Sequence, residues 1–326
     1  MIVVLAACQA QTAPPLSPSI APTPSAKPLP EHVVAQWNVA NPSFIAFGFG
    51  SVWVTDHFGH SITRIDPVSN QVAAIIRGTG SNPEDALEVG DALWVTGQAD
   101  DTTVIDPTTN TITKTIPGDL LFMDYGFDSV WVTTRDNKLD RFDPATAEII
   151  AAISVGDGED DCMNDVVATA AAVWVISCDT GELIKVDPTT NSVVSRTPYA
   201  TLIDQAQAQT PAPAGKGTDS IWITVAGDEG GGTLPEGLLR VSPTTDRGVA
   251  FLPLAPEQAG DFFNAVTDEA VWLGGSGEIN RVDVATNQIV ATYPTARGRL
   301  KIGIEFGSVW LRNFEHFLIQ RLDIAP

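Results

Sequence analysis

The sequence predicts an all-β fold: a seven-bladed β-propeller of four-stranded blades, closed by its own N-terminal strand. Two observations carry this. Seven of the eight tryptophans sit in one recurring context, and a turn built on Asp-Pro recurs between them. The tryptophan copies run from Ser51-Val52-Trp53-Val54-Thr55 through Ala92-Leu93-Trp94-Val95-Thr96 and Ser129-Val130-Trp131-Val132-Thr133. Trp174, Trp222, Trp272 and Trp310 continue the series, at spacings of 41, 37, 43, 48, 50 and 38 residues. A period in the low forties, with β-branched residues around each tryptophan, is that of propeller blades.

The first repeat sets the pattern for the others. Residues 43–47 form strand A, and Gly48-Phe49-Gly50 turns the chain, glycine tolerating positive φ. Residues 52–55 are strand B, 62–65 strand C and 72–76 strand D. Between C and D lies Asp66-Pro67-Val68-Ser69-Asn70. Its Asp accepts a backbone N–H, Pro presets φ and Asn tolerates the left-handed region. The turn recurs at Asp106-Pro107-Thr108-Thr109-Asn110 and Asp187-Pro188-Thr189-Thr190-Asn191, with weaker copies at Asp143-Pro144, Ser242-Pro243 and Asp283-Val284. These aspartates read as structural, and the tryptophans as core between blades. The seventh repeat runs through its third strand, 318–322, and has no strand D; residues 33–39 are a surplus strand that completes it. That pairing leaves no open sheet edge in the ring.

Three regions follow: 1–8, 9–30 and the propeller at 31–326. The first is a short apolar run ending in Leu5-Ala6-Ala7-Cys8, which resembles the bacterial lipoprotein lipobox, with Cys8 as the lipidated residue. It is too short to span a bilayer, which takes about 20 residues. No basic residue precedes it, so the signal is read as truncated. Residues 9–30 are rich in Pro, Ser, Thr and Ala, with Lys27 as the one charge, and form a disordered tether. The expected setting is extracytoplasmic, with the membrane touched only through the lipid.

The V-W-V-T and D-P-x-T-N blades resemble the bacterial YVTN-type propeller repeats and the related streptogramin B (virginiamycin B) lyase-like propellers, over 31–326. The streptogramin lyase resemblance implies a metal-dependent C–O elimination, with a His leading into strand A and a nearby Glu as the base system. Here the corresponding places read Asn41-Pro42-Ser43-Phe44 and Asn82-Pro83-Glu84-Asp85, without histidine, so no catalytic residue is carried over.

Composition narrows the partners. The chain of 326 residues has a formal charge of −22, which repels phosphate backbones and excludes nucleic acid as a partner. Loop length varies on the face that carries the B–C loops and the connections between blades, called the top. The long segments there are 199–215, 225–237 and 253–261, all read as loops. Counting nine and ten residues back from each tryptophan gives a ring around the channel mouth. It contains Ser43, Phe44, Glu84, Asp85, Leu121, Phe122, Asn164, Asp165, Phe262, Phe263 and Lys301, with Arg299 just outside. Glu84, Asp85, Asn164, Asp165, Phe262, Phe263, Arg299 and Lys301 are the expected ligand-binding residues, a mixture suited to a small polar molecule, a glycan or a protein.

The histidines His32, His57, His60 and His316 read as exposed and unpaired. A three-His metal site from the last three is the alternative. The acidic loop at 157–161 offers oxygen ligands to a divalent cation such as Ca²⁺, but it lacks the EF-hand spacing and a solvated loop is the favoured reading. Cys162 and Cys178 are equidistant from a turn centred on position 170, which predicts a disulfide in an oxidising compartment. The leading functional expectation is a non-enzymatic binding or interaction module using the top face. The alternative is a metal-dependent lyase or lactonase-like enzyme.

Overall fold

The computed structural model describes residues 31–97, 101–156, 165–177, 180–208, 217–225, 234–255, 258 and 264–324. It is a ring of seven antiparallel sheets. The first blade orders Pro42–Gly48, Ser51–Asp56, Ser61–Asp66 and Gln71–Arg77 from the inside outward. The fifth blade shows three strands among the described residues, Ile221–Val225, Gly237–Ser242 and Arg247–Pro253. The last blade orders Leu300–Glu305, Ser308–Asn313 and Leu318–Leu322, with Val33–Asn38 as its outermost strand. Trp37 lies opposite Ile319, and its ring stacks on Trp310 with centroids 5.6 Å apart. The chain closes its own ring as the sequence predicts.

The blade tryptophans are buried between neighbouring blades. Directly across strand C from six of them stands a cation: Arg64, Arg141, Lys185, Arg240, Arg281 or Arg321. Each lies over its indole, at 4.9 Å for Arg64 and Trp53. Most then reach the C–D turn of the next blade. Arg64 donates Nε–H to Ser51 Oγ and another N–H to the Pro107 carbonyl and Asn110 Oδ1. Arg141 repeats this with Ser129, Pro188 and Asn191, and Arg321 with Ser308, Pro67 and Asn70. The turns are preset for that contact. Asp66, Asp106, Asp143 and Asp187 each accept a backbone N–H two residues on, and Asn70, Asn110 and Asn191 take positive φ. The second blade departs from this pattern: Trp94 faces Val104.

The segment 199–215, expected as a loop, begins instead with a helix, Tyr199–Gln207. Tyr199, Leu202, Ile203 and Ala206 recur at helical spacing and are buried between the fourth and fifth blades, against Leu183, Ile223 and Leu239. The third strand of the fifth blade passes so close that a Cβ on Gly248 would lie 1.8 Å from the Leu202 carbonyl oxygen. Position 248 therefore admits only glycine.

Trp37 is the main apolar anchor of the closing strand, whereas Val34 in the same strand is half exposed. Trp37→Ala is expected to cost about 3–5 kcal/mol and Val34→Ala under about 0.5 kcal/mol. Urea unfolding of the two variants checks this; equal midpoints would contradict the closure.

Candidate functional site

Five residues that stand nine places before a tryptophan, Phe44, Asp85, Phe122, Asp165 and Lys301, come together among the described residues. In the first three blades strand A is bulged, at Pro42/Ile45, Pro83/Ala86 and Leu120/Met123. Phe44, Asp85 and Phe122 sit within these bulges. The threonine that ends each V-W-V-T run holds them: Phe44, Asp85 and Phe122 donate their backbone N–H groups to Thr55, Thr96 and Thr133 Oγ1 at 2.8, 3.2 and 3.2 Å. A bulge re-aims the side chain it carries. Lys301, from the last blade, places its ammonium over the Phe44 ring and 5.9 Å from that of Phe122. Asp85 and Asp165 both attract it.

Asp85 and Lys301 are buried, at 6% and 4% exposure, so each resists ionisation. Burial is the main cause that lifts the Asp85 carboxyl to about 7, with Lys301 opposing the rise and Asp165 adding to it. Burial likewise raises Asp165 and pushes Lys301 well below the usual lysine range. Asp85 also ties the inner strands together, accepting N–H bonds from Ala86 at 2.7 Å and from Met123 of the next blade at 3.0 Å. Asp124 repeats the device one blade on, accepting from Ala168.

Glu84 heads a second group. Its Oε1 lies 3.0 Å from His57 Nδ1, and its Oε2 accepts the Ser43 hydroxyl at 3.0 Å. This corrects the expectation of exposed, unpaired histidines. His57 comes from the B–C loop of the first blade and is largely covered, because the second blade presents Glu84 beside it. The other histidines have other partners. His60 Nδ1 meets the Gly80 carbonyl, His316 Nδ1 meets Asn313 Oδ1, and His32 lies beside Glu31. Arg299 stands at the rim, paired with Glu315 at 3.5 Å and stacked on Phe314.

Of the other expected site residues, Asn164, Phe262, Phe263, Cys8, Cys162 and Cys178 lie outside the described residues, as does the acidic loop at 157–161. The hairpin that leads to the two cysteines pairs Asp165 with Ile176, which centres it between positions 170 and 171 rather than on 170.

Among the described residues of the mouth, the carboxylates are opposed by Lys301 and Arg312, which occupy the same buried region. Among the described residues no three His, Cys, Asp or Glu side chains are grouped to hold a metal. What the arrangement offers is a channel mouth with acidic and basic groups beside two aromatic rings, and a His57–Glu84 pair next to it.

The charge pattern sets a pH dependence. Burial raises Asp124 and Asp140 to about 6. A raised carboxylate stabilises the fold most at low pH, and that contribution is lost as pH rises from about 4 through 6. The turn aspartates Asp66, Asp106, Asp143 and Asp187 are lowered, chiefly by backbone N–H bonds, so their contribution is present above about pH 4 and lost below it. The urea midpoint is expected to peak at about pH 4 and to fall on both sides. Asp124→Asn is expected to flatten the upper limb. A midpoint that climbs steadily through neutral pH contradicts this account.

No protein-family model matches the chain, and no curated protein matches it in sequence. Its fold is shared widely. It is similar to Kuenenia stuttgartiensis hydrazine synthase, with a TM-score of 0.69 and 13% identity over 88% of this chain and 96% of that one. A streptogramin B lyase structure gives 0.66 and 16% over 88% and 96%. BamB from Moraxella catarrhalis gives 0.57 and 11% over 86% of each. At these identities the likeness establishes the β-propeller fold.

Proposed function

We propose that the protein is an extracytoplasmic binding module, lipid-anchored through Cys8, that holds a small polar ligand at the top-face channel mouth. The observation that carries this reading is the burial of Asp85 and Lys301, with the Lys301 ammonium over Phe44 and near Phe122 and the half-buried Asp165 attracting it. Titratable groups cost free energy to bury in either protonation state, and apolar residues would close the mouth at lower cost. A ligand with charges of both signs and an apolar part complements this surface. The test is a thermal-shift screen of small zwitterions and sugars, followed by calorimetry of any hit. Glu84→Gln and Lys301→Met are expected to weaken binding about tenfold or more. A hit whose affinity neither variant changes overturns the reading.

A second reading, a lyase- or lactonase-like enzyme, draws on the His57–Glu84 pair. Two of the structural neighbours carry the names of enzymes, a synthase and a lyase. In this reading Glu84 orients the imidazole, and His57 accepts the substrate proton. Lactone or cyclic-ester turnover that His57→Asn abolishes, with the fold intact, favours it over simple binding.

The exported setting also supports a Cys162–Cys178 disulfide. Thiol titration of denatured, unreduced protein is expected to find neither free; two free thiols at these positions exclude the bond.

A further inference from the structure

The latch of arginine, serine and asparagine side chains is complete from the first, third, fifth and seventh blades, and the junction between the second and third blades lacks all three. Val104 replaces the arginine over the tryptophan, and Ala92 replaces the serine that accepts its Nε–H. Ala147 replaces the asparagine of the next turn, yet keeps that residue's left-handed backbone at φ 55°. Alanine is strained there and asparagine is not, so turn geometry does not explain the exchange. The one remaining acceptor of the set is the Pro144 carbonyl. Its counterparts at Pro67, Pro107 and Pro188 each accept a guanidinium N–H, whereas no donor among the described residues meets it.

The positive charge has moved across the strand pair. Lys114, opposite Val104, stands where other blades carry Ala74, Ala151, Ser195, Ala250 or Ala291. It reaches the Thr146 carbonyl at the surface and leaves the Pro144 carbonyl open. The vacated latch is a cleft of about 500 Å³ on the face opposite the channel mouth, lined by Val89, Val104, Tyr125 and Ala147, with Lys114 on one side, held by the Thr146 carbonyl, and exposed Asp91 at its margin.

We propose that this cleft receives an arginine side chain from a partner polypeptide, in the place that the protein's own arginines fill at other junctions. The guanidinium donates to the Pro144 carbonyl, its stem packs on Val104, and Asp91 supplies a carboxylate at the margin. A chain with a formal charge of −22 draws basic partners toward it. Arginine is favoured over lysine because a planar fork packs on the apolar wall and still donates from its edge.

The test uses alanine-methyl-labelled full-length protein and three capped tripeptides, Gly-Arg-Gly, Gly-Lys-Gly and Gly-Leu-Gly. The arginine peptide is expected to shift the methyl signals of Ala92, Ala145 and Ala147 with a dissociation constant of about 1 mM. The lysine peptide is expected to bind several-fold more weakly, and the leucine peptide not to compete. The double variant V104R/A147N rebuilds the latch from within and is expected to abolish these shifts while the remaining spectrum holds. Should that variant fail to fold, Asp91→Asn serves instead and is expected to weaken the arginine peptide several-fold. Absence of shifts at about 10 mM peptide, equal shifts from the leucine peptide, or arginine-peptide binding that survives V104R/A147N or is unchanged in Asp91→Asn overturns the proposal.

Discussion

The structure depends on one repeated contact: an indole buried between two blades, capped by a cation that reaches the turn of the next blade. A propeller blade has apolar residues on both faces and cannot bury them alone. Each blade is therefore stable only against its neighbours, and the ring is stable only when closed. The indoles are the largest of the fully buried side chains. The arginine above it adds a modest cation–π attraction and converts packing into register, because its N–H groups meet one carbonyl and one asparagine in the adjoining turn. Trp37, on the strand that returns from the N-terminus, extends the same packing to the last junction.

The rigidity of that outer scaffold allows charge to be buried at its inner edge. Bulged inner strands turn Phe44, Asp85 and Phe122 into the channel, where they meet Lys301 from the opposite end of the chain. The carboxyls are made tolerable by backbone N–H groups of the following blade, which join Asp85 to Met123 and Asp124 to Ala168. Polar side chains thus serve two purposes at the mouth. They hold neighbouring strands at a set distance, and they present charge at the channel. The turn face shows the converse arrangement. There the latch uses polarity to join blades, and the second junction has lost that polarity as a set, leaving a cleft.

Much of this is legible in the chain because a repeat aligns itself. The tryptophan period counts the blades, the Asp-Pro turn places their outer corners, and the surplus strand near the N-terminus matches the gap at the end. Counting nine residues back from each tryptophan finds Asp85, Asp165 and Lys301 for the same reason. The helix Tyr199–Gln207 is different. Its apolar spacing is present in the sequence, but alanine, glutamine and proline in the surrounding segment read as loop, and only packing between two blades selects the helix.

The amino-acid sequence by itself determined the number of blades and the closure of the ring, since each follows from local period and register, and it marked the positions nine before each tryptophan, among them Phe44, Asp85, Phe122, Asp165 and Lys301. The tertiary structure alone decided which of those residues ionise and which pair. His57 meets Glu84 because adjoining blades bring a loop and a strand together. Val104 leaves a cleft because Pro144, in another blade, loses its donor. Burial, ion pairing and cavities are set by groups far apart in the chain, and no local pattern encodes the distance between them.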